Sequence, residues 1–218
     1  MPKDFSSKDA RELFLGLQAM GQEFNCPVVG GDVGVWSGPL AISVTVFARP
    51  SGMRLILRSG AKVGDAICVT GALGGAWKSQ RHLNFMPRIR EARLLASRHE
   101  VHAMIDLSDG LSRDLRNLCN ASGVGAEIAA EAVPISPDAK AAMEPAAALA
   151  SALGDGEDYE LLFTLPVEQA DQLLQSNPLS MPVSRIGTII AGDAVTLVYA
   201  DGRHQKLPQT GWEYVTSG

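Results

Sequence analysis

The sequence predicts an α/β protein of the α+β type, because helical and strand patterns are mixed along the whole chain. Apolar residues recur at three- to four-residue spacing over residues 6–24, which is typical of an amphipathic helix. Residues 40–48 instead alternate between two faces, as a strand does. A chain of 218 residues, 46% of them hydrophobic, can bury a core without disulfides or metals.

The first stretch of the chain predicts one helix and two strands. Ser6, followed three residues later by Asp9, resembles a capping box at the start of the helix. A short buried strand over residues 26–32 then ends in a glycine turn. The strand over residues 40–48 follows, with Ile42 among the residues of one face.

Later elements follow in an irregular order, after a polar turn at residues 58–65. This turn is the best candidate domain boundary, so we predict an N-terminal domain over residues 1–58 and a C-terminal α/β domain over residues 59–218. Residues 184–190 and 195–199 predict a hairpin. The predicted strands are 55–57, 66–70, 103–106, 126–129 and 159–165, and the predicted helices are 87–98, 111–119, 139–153 and 167–175.

Composition excludes several classes of partner. The net charge of -5 and the lack of a basic cluster argue against nucleic acid. The longest uncharged apolar run, residues 39–48, is far shorter than the ~20 residues that span a bilayer, so no membrane partner is expected. Three widely spaced cysteines and no secretory signal predict buried free thiols in the cytoplasm.

Acidic residues gather at three predicted strand ends. Asp32 follows two glycines, Asp106 and Asp109 flank Ser108, and four carboxylates lie within residues 154–160. Carboxylates that converge from several loops suit a hard cation, whose remaining ligands are water and phosphate oxygens.

Each of these residues also has a purely structural interpretation. Asp32 could be a turn residue, and Ser108 is well placed as the N-cap of the next helix. The loop at 154–160 could be a solvated turn, although Tyr159 favours packing against the core. Asp106 ends an apolar run, so we expect it to be buried and to need a partner or a cation.

Other signals are weak. The glycine-rich segment at 71–75 lacks the Lys-Ser/Thr pair of a P-loop. Arg58 could pair with phosphate or form a surface salt bridge. Trp212, taken alone, predicts a core residue. The four histidines show no metal-ligand spacing, and no set of residues suggests nucleophilic catalysis.

Six motifs in one order nevertheless resemble a known family. They are Gly-Gly-Asp at 30–32, Arg-Ser-Gly-Ala-Lys-Val-Gly-Asp at 58–65, Val-Thr-Gly at 69–71, Ala-Met-Ile-Asp-Leu-Ser-Asp-Gly-Leu at 103–111, Ser-Gly-Val-Gly at 122–125 and Gly-Glu-Asp-Tyr-Glu-Leu-Leu-Phe at 156–163. The sequence resembles thiamine-monophosphate kinases, in the superfamily of aminoimidazole ribonucleotide synthetase. The likeness covers nearly the whole chain.

The resemblance implies a homodimeric enzyme that transfers the γ-phosphoryl group of ATP to thiamine monophosphate, with Mg2+, to give thiamine diphosphate. It implies two α/β domains, of which the first forms the dimer interface. No catalytic side chain is implied, because positioning and metal charge suffice for this reaction.

The resemblance also assigns residues. It implies that Gly31, Asp32, Arg58 and Ser108 contact ATP, that Asp32, Asp106 and Asp109 bind magnesium, and that Glu157 and Trp212 hold the thiamine end of the substrate.

Family members normally carry about 100 further N-terminal residues with additional metal-binding motifs, so we expect either a fragment or a shortened relative. Val33, Asp155 and Tyr214 also depart from the family pattern. Two alternatives stay open: a non-catalytic nucleotide or thiamine-phosphate binding protein, and another ATP-dependent synthetase of the superfamily.

Overall fold

The computed structural model describes residues 1–50 and 52–212. The chain divides into two compact units, Met1–Arg49 and Pro50–Gly218. The predicted domain boundary after residue 58 lies inside the second unit and stays a prediction. Tyr214, one of the departures from the family pattern, lies outside the described residues.

The first unit is built on one helix, α1 (Ser7–Glu23). Its predicted cap is confirmed, since the Ser6 hydroxyl accepts a hydrogen bond from the Asp9 N–H at 3.0 Å. The predicted strands at 26–32 and 40–48 are wrong, because neither segment forms a ladder with the described residues. An alternating pattern makes a strand only where a second strand supplies hydrogen-bonding partners. Cys26, predicted as buried, is exposed.

The second unit contains seven strands and five α-helices among the described residues. The strands are β1 (Ala66–Thr70), β2 (Ala103–Asp106), β3 (Gly125–Ala129), β4 (Leu161–Leu165), β5 (Val183–Ile190), β6 (Val195–Val198) and β7 (His204–Lys206). The helices are α2 (Ile89–Arg98), α3 (Leu111–Ser122), α4 (Pro137–Ala142), α5 (Pro145–Gly154) and α6 (Val167–Ser176), with 3₁₀ turns at Arg81–Leu83 and Ala130–Ala132.

One sheet joins all seven strands in the order β2-β4-β1-β5-β3-β6-β7. Among these seven strands of the described residues, only β3 and β6 pair in parallel. This arrangement makes the predicted hairpin wrong, because β3 lies between β5 and β6. The predicted strand at 55–57 is also absent, although the Leu57 carbonyl accepts a hydrogen bond from the Met104 N–H at 2.9 Å.

Both faces of the sheet are buried, and strand β1 shows why. Its successive side chains point to opposite faces, so Ile67 joins one core cluster and Cys68 the other. Leu115 of α3 belongs to the first cluster, and Leu95 of α2 and Leu173 of α6 belong to the second. The predicted α/β class is therefore confirmed, with helices on both faces of a mixed sheet.

The alanine-rich stretch at 139–153 forms two helices rather than the single helix predicted. Met143 is extended, and Pro145 then opens α5 at the first helical position. Proline suits that position because its missing N–H would have no partner there.

Candidate functional site

The site is centred on the turn between β2 and α3. Asp106, the last residue of β2, is exposed, whereas Ser108 and Asp109 are half-buried. The prediction of a buried Asp106 was therefore wrong, because β2 is an edge strand and its last side chain emerges at the sheet border. The helix begins after Gly110, so Ser108 is not its N-cap, as the sequence had suggested.

Residues in the first turn of α3 hold the β2–α3 turn in place. The Asp109 N–H donates to the Asp114 carboxylate at 3.0 Å, and Arg113 forms an ion pair with Asp109 at 3.5 Å. Burial is the main cause that raises the pKa of Asp114 to about 6, and the charges of Asp109 and Asp106 act in the same direction. The shift of the Asp114 pKa therefore reflects burial first and the neighbouring negative charges second.

The loop over residues 154–160 lies alongside the turn in a ladder of backbone hydrogen bonds. The Glu157 N–H donates to the Ser108 carbonyl at 2.8 Å, and the Tyr159 N–H donates to the Leu107 carbonyl at 2.9 Å. A side chain at Gly156 would meet the Ser108 carbonyl at 2.7 Å. Glycine at this position therefore allows the loop to approach closely and places Glu157 beside Ser108.

Two buried carboxylates of this loop, Asp158 and Glu160, anchor it to the rest of the unit. Asp158 accepts hydrogen bonds from the Gly74 N–H at 2.9 and 3.0 Å and from Arg81 at 2.9 Å. Burial raises the pKa of Asp158 to about 6, although the Gly74 N–H and Arg81 both act to lower it. The prediction that the loop packs against the core is thus confirmed at this residue.

Glu160 is the second anchor of the loop. Its two carboxylate oxygens accept hydrogen bonds from Arg88 at 2.9 and 2.6 Å, a bidentate pair. The Thr70 hydroxyl donates to the same carboxylate at 2.6 Å and accepts from the Leu161 N–H at 2.9 Å. Bidentate pairs of this kind fix orientation as well as adding attraction.

Trp212 reaches the same turn from the far end of the chain. The backbone N–H of Trp212 donates to the Asp109 carbonyl at 3.1 Å, and the Arg113 side chain donates to the Trp212 carbonyl. The residue is 62% exposed, so the interpretation of Trp212 as a core residue was wrong. Arg116 holds the preceding residues by donating to the Leu207 and Pro208 carbonyls.

The structure therefore brings together residues from three separate segments of the chain: Asp106, Ser108, Asp109, Glu157 and Trp212. Arg58 is not in this group. Its carbonyl accepts from the Ser122 hydroxyl at 3.4 Å, at the opposite end of α3. Twelve residues of helix separate the two ends by roughly 16 Å.

Gly31 and Asp32 belong to the first unit, where both are exposed and outside regular secondary structure. Their assignments to ATP and magnesium stay predictions.

Two of the gathered carboxylates suit a magnesium ion that is shared with phosphate. The Asp106 side chain makes no hydrogen bond or ion pair within residues 1–50 and 52–212, and the Asp109 side chain has one longer pair with Arg113. No group of three or more potential ligands converges in the same part of the chain. Magnesium commonly takes only one or two carboxylates and completes its shell with water and phosphate oxygens, so these residues fit it.

Sequence reasoning did not assign a role to Tyr159, Arg81 or Arg88 within this site. Their ion pairs and contacts join positions far apart in the chain, which local spacing cannot reveal. One local signal was available in the motif at 156–163. Asp158 and Glu160 alternate there with Glu157 and Tyr159, which is the pattern of a loop with one buried and one exposed side.

No helix in the described part of the chain is long and apolar enough to cross a membrane.

Comparisons with known proteins identify the family of this chain. Residues 62–200 match the model of the AIR synthase related protein, C-terminal domain. A thiamine-monophosphate kinase of Rhodopirellula baltica is 38% identical over 97% of this chain, and one of Methanospirillum hungatei is 35% identical over 92%. The chain spans 66% and 67% of the lengths of these two curated relatives.

Solved structures show the same relationship. A structure described as AaThiL complexed with AMPPCP and TMP is 25% identical, with a TM-score of 0.73 over 99% of this chain and 71% of that one. A hydrogenase maturation protein HypE in complex with ATP shares the fold, with a TM-score of 0.68 at 18% identity. From these matches, the chain belongs to the thiamine-monophosphate kinase family and carries the C-terminal domain of the AIR synthase related proteins.

Proposed function

We propose that this chain takes part in the phosphorylation of thiamine monophosphate to thiamine diphosphate, with ATP as the phosphoryl donor and magnesium as the cofactor. The relatives named as thiamine-monophosphate kinases support the reaction, and the complex of AaThiL with AMPPCP and TMP supports the two substrates. The acceptor is a phosphate oxygen that is already anionic at neutral pH. The reaction therefore needs positioning and charge neutralisation rather than a general base.

One observation carries this proposal: a single turn gathers the residues assigned to nucleotide, metal and substrate. Ser108 and Asp109 lie in that turn, Glu157 is held against Ser108, and Trp212 is held against Asp109. An enzyme that joins two phosphates must bring both substrates to one place, and this arrangement suits that requirement.

Asp106 and Asp109 are the residues that would hold magnesium. When bound, magnesium supplies positive charge that neutralises the oxygens of the transferred phosphoryl group. Asp106 faces solvent, so it can bind a hydrated cation without first breaking a buried contact. Ser108 would bind the nucleotide beside them, whereas the assignments of Gly31, Asp32 and Arg58 to ATP stay predictions from the family resemblance.

Glu157 and Trp212 would hold the thiamine end of the substrate. Trp212 is 62% exposed, and an indole is suited to stacking on a cationic heteroaromatic ring. Glu157 adds a negative charge beside it. Both residues meet the turn through backbone hydrogen bonds, which place Glu157 next to Ser108 and Trp212 next to Asp109.

We also propose a cytoplasmic homodimer as the working form. The three free cysteines support a reducing compartment. Val44, Val46 and Phe47 are 66%, 68% and 85% exposed, which supports a surface that a second copy of the chain would cover. Sedimentation of the chain at several concentrations tests the dimer.

A second candidate is a protein that binds thiamine monophosphate or ATP without turnover. The observation in its favour is that no three potential metal ligands converge in residues 1–50 and 52–212. Transfer would be slow if too few ligands fixed the metal, because the charge stabilisation depends on it.

The deciding experiment measures thiamine diphosphate formed from ATP, magnesium and thiamine monophosphate, with a magnesium-free reaction as the control. Magnesium-dependent product supports the kinase. Measurable binding of either substrate without product supports the binding protein instead. A chain that binds neither substrate contradicts both proposals.

A further inference from the structure

The loop over residues 154–160 sends alternate side chains to opposite sides. Asp158 and Glu160 are buried, and arginines pair with both. Glu157 precedes Asp158, and Tyr159 lies between Asp158 and Glu160; both remain partly exposed next to the β2–α3 turn. The buried residues explain how the loop is held, but they do not explain why a tyrosine occupies position 159.

Position 159 is an unfavourable one for tyrosine. The backbone of Tyr159 has φ 51° and that of Glu157 has φ 60°, both in the left-handed region. For residues other than glycine, this backbone conformation costs roughly 1–2 kcal/mol of conformational free energy. Strain of this kind persists where the surroundings impose it and is common at functional sites.

The side chain of Tyr159 contacts the substrate-binding carboxylate directly. Its hydroxyl lies 3.1 Å from an oxygen of Glu157. An ionised carboxylate only accepts hydrogen bonds, so the phenol is the donor. Burial raises the pKa of Tyr159 to about 12, and the nearby charge of Glu157 raises it as well, so the phenol keeps its proton at neutral pH.

A second aromatic ring fixes the tyrosine. Phe85 stacks on Tyr159 with ring centroids 4.0 Å apart and an angle of 18° between the planes. Phe85 lies between Arg81 and Arg88 in sequence, and these arginines bind Asp158 and Glu160. One segment, residues 81–88, therefore holds the loop at three consecutive positions, 158 to 160.

We propose that Tyr159 is a positioning residue, fixed by Phe85, which holds the Glu157 carboxylate in place for the thiamine end of the substrate. This inference rests on the proposed function, which assigns Glu157 to thiamine monophosphate. A carboxylate held in one orientation before binding loses less side-chain entropy when the ligand arrives. The tyrosine thus acts on affinity for this substrate and not on phosphoryl transfer.

The test is the variant Tyr159→Phe, which keeps the ring stacked on Phe85 and removes only the hydroxyl. We expect the dissociation constant for thiamine monophosphate, measured by calorimetry, to rise about five- to tenfold, as for loss of a hydrogen bond to a charged group near solvent. ATP affinity and the melting temperature should stay unchanged. Tyr199→Phe is the matched control, since it also removes a tyrosine hydroxyl bonded to a side-chain oxygen, that of Gln205.

A double-mutant cycle separates positioning from a merely structural role. In a Glu157→Ala background, Tyr159→Phe should cause no further loss of affinity, because its partner is already gone. Additive losses would overturn the inference. Phe85→Leu should weaken binding in the same direction, by a smaller factor.

Different outcomes would contradict the proposed function and the role of Tyr159. A wild-type chain that does not bind thiamine monophosphate contradicts the proposed function and, with it, this inference. A wild-type chain that binds the substrate, together with a Tyr159→Phe variant that binds it equally well, overturns only the role of Tyr159.

Discussion

Two groups of carboxylates lie close together in this molecule and differ in almost every physical respect. The first group, Asp158 and Glu160, has side chains only 2% and 7% exposed, and each is paired with an arginine. The second group, Asp106 and Asp109, lies nearer to solvent. Within the described residues its charge is balanced only by Arg113, which lies 3.5 Å from Asp109.

The difference shows how a protein uses acidic residues for opposite purposes. A buried carboxylate without a partner is costly, so Asp158 and Glu160 have their hydrogen-bonding needs met by the protein itself. They can anchor a loop but have little capacity left for a ligand. Asp106 and Asp109 keep oxygens available to a cation and raise the pKa of the neighbouring Asp114.

Removal of the arginine at the anchor should have the largest effect. Arg88→Met leaves the Glu160 carboxylate buried without its bidentate partner, so we expect the free energy of unfolding to fall by about 3 kcal/mol. Chemical denaturation measures it. Arg185→Met is the control, because Arg185 pairs with Asp171 at 3.7 Å near the surface and should change stability by less than about 1 kcal/mol. Equal losses in the two variants would mean that the anchor is no different from a surface pair.

The pH dependence of stability should report on the other anchor. Because burial raises the pKa of Asp158 to about 6, the folded chain binds more protons than the unfolded chain between pH 4 and 6. The free energy of unfolding should therefore fall as pH rises through this window and level off above it, by roughly 2 kcal/mol for this residue.

Asp158→Asn isolates that contribution. The asparagine does not ionise, so the variant should lose part of the decrease that the wild type shows between pH 4 and 6. The part due to Asp114, whose pKa burial also raises to about 6, should remain. Identical pH profiles for the two proteins would contradict the raised pKa of Asp158.

The sequence could predict that both acidic groups exist but not how they differ. Strand ends and glycine turns placed Asp106 and Asp109 in one loop and Glu157 in another, and the family resemblance assigned them to one site. Burial depends on partners far away in the chain, such as Arg88 for Glu160, across 72 positions. Spacing within a motif contains no such information, and for the same reason the burial predicted for Asp106 was wrong.

The fold shows the same limit. Helices α1 and α3 and strand β1 lie close to where local patterns predict them, because the apolar spacing of each segment determines it. The alternation at 40–48 is equally clear, yet no strand forms there, since a ladder needs a partner. The predicted hairpin failed because β3, more than fifty residues earlier, pairs with β5.

In the exposed group, loss of one carboxylate should weaken binding and leave stability intact. For Asp109→Asn we expect magnesium-dependent ATP binding to weaken about tenfold, since one charged ligand is lost, while the free energy of unfolding stays within about 0.5 kcal/mol. Calorimetric titrations with ATP, with and without magnesium, measure this. Asp171→Asn, on the exposed face of α6, is the control. A large loss of stability in Asp109→Asn would place Asp109 with the anchors instead.

The smallest expected effect concerns Trp212, whose backbone is hydrogen-bonded next to the exposed carboxylates. Trp212→Ala keeps the hydrogen bond from its N–H to the Asp109 carbonyl, so the turn that carries Asp109 should be preserved. We expect about fivefold weaker binding of thiamine monophosphate, the loss of one stacking contact with a cationic ring near solvent, and unchanged ATP binding. Trp77→Ala is the control, because Trp77 is 65% exposed and stacks on His82 instead. Equal loss of both ligands in Trp212→Ala would show that the residue supports the whole turn, and the exposed group would then depend on anchoring as much as the buried one does.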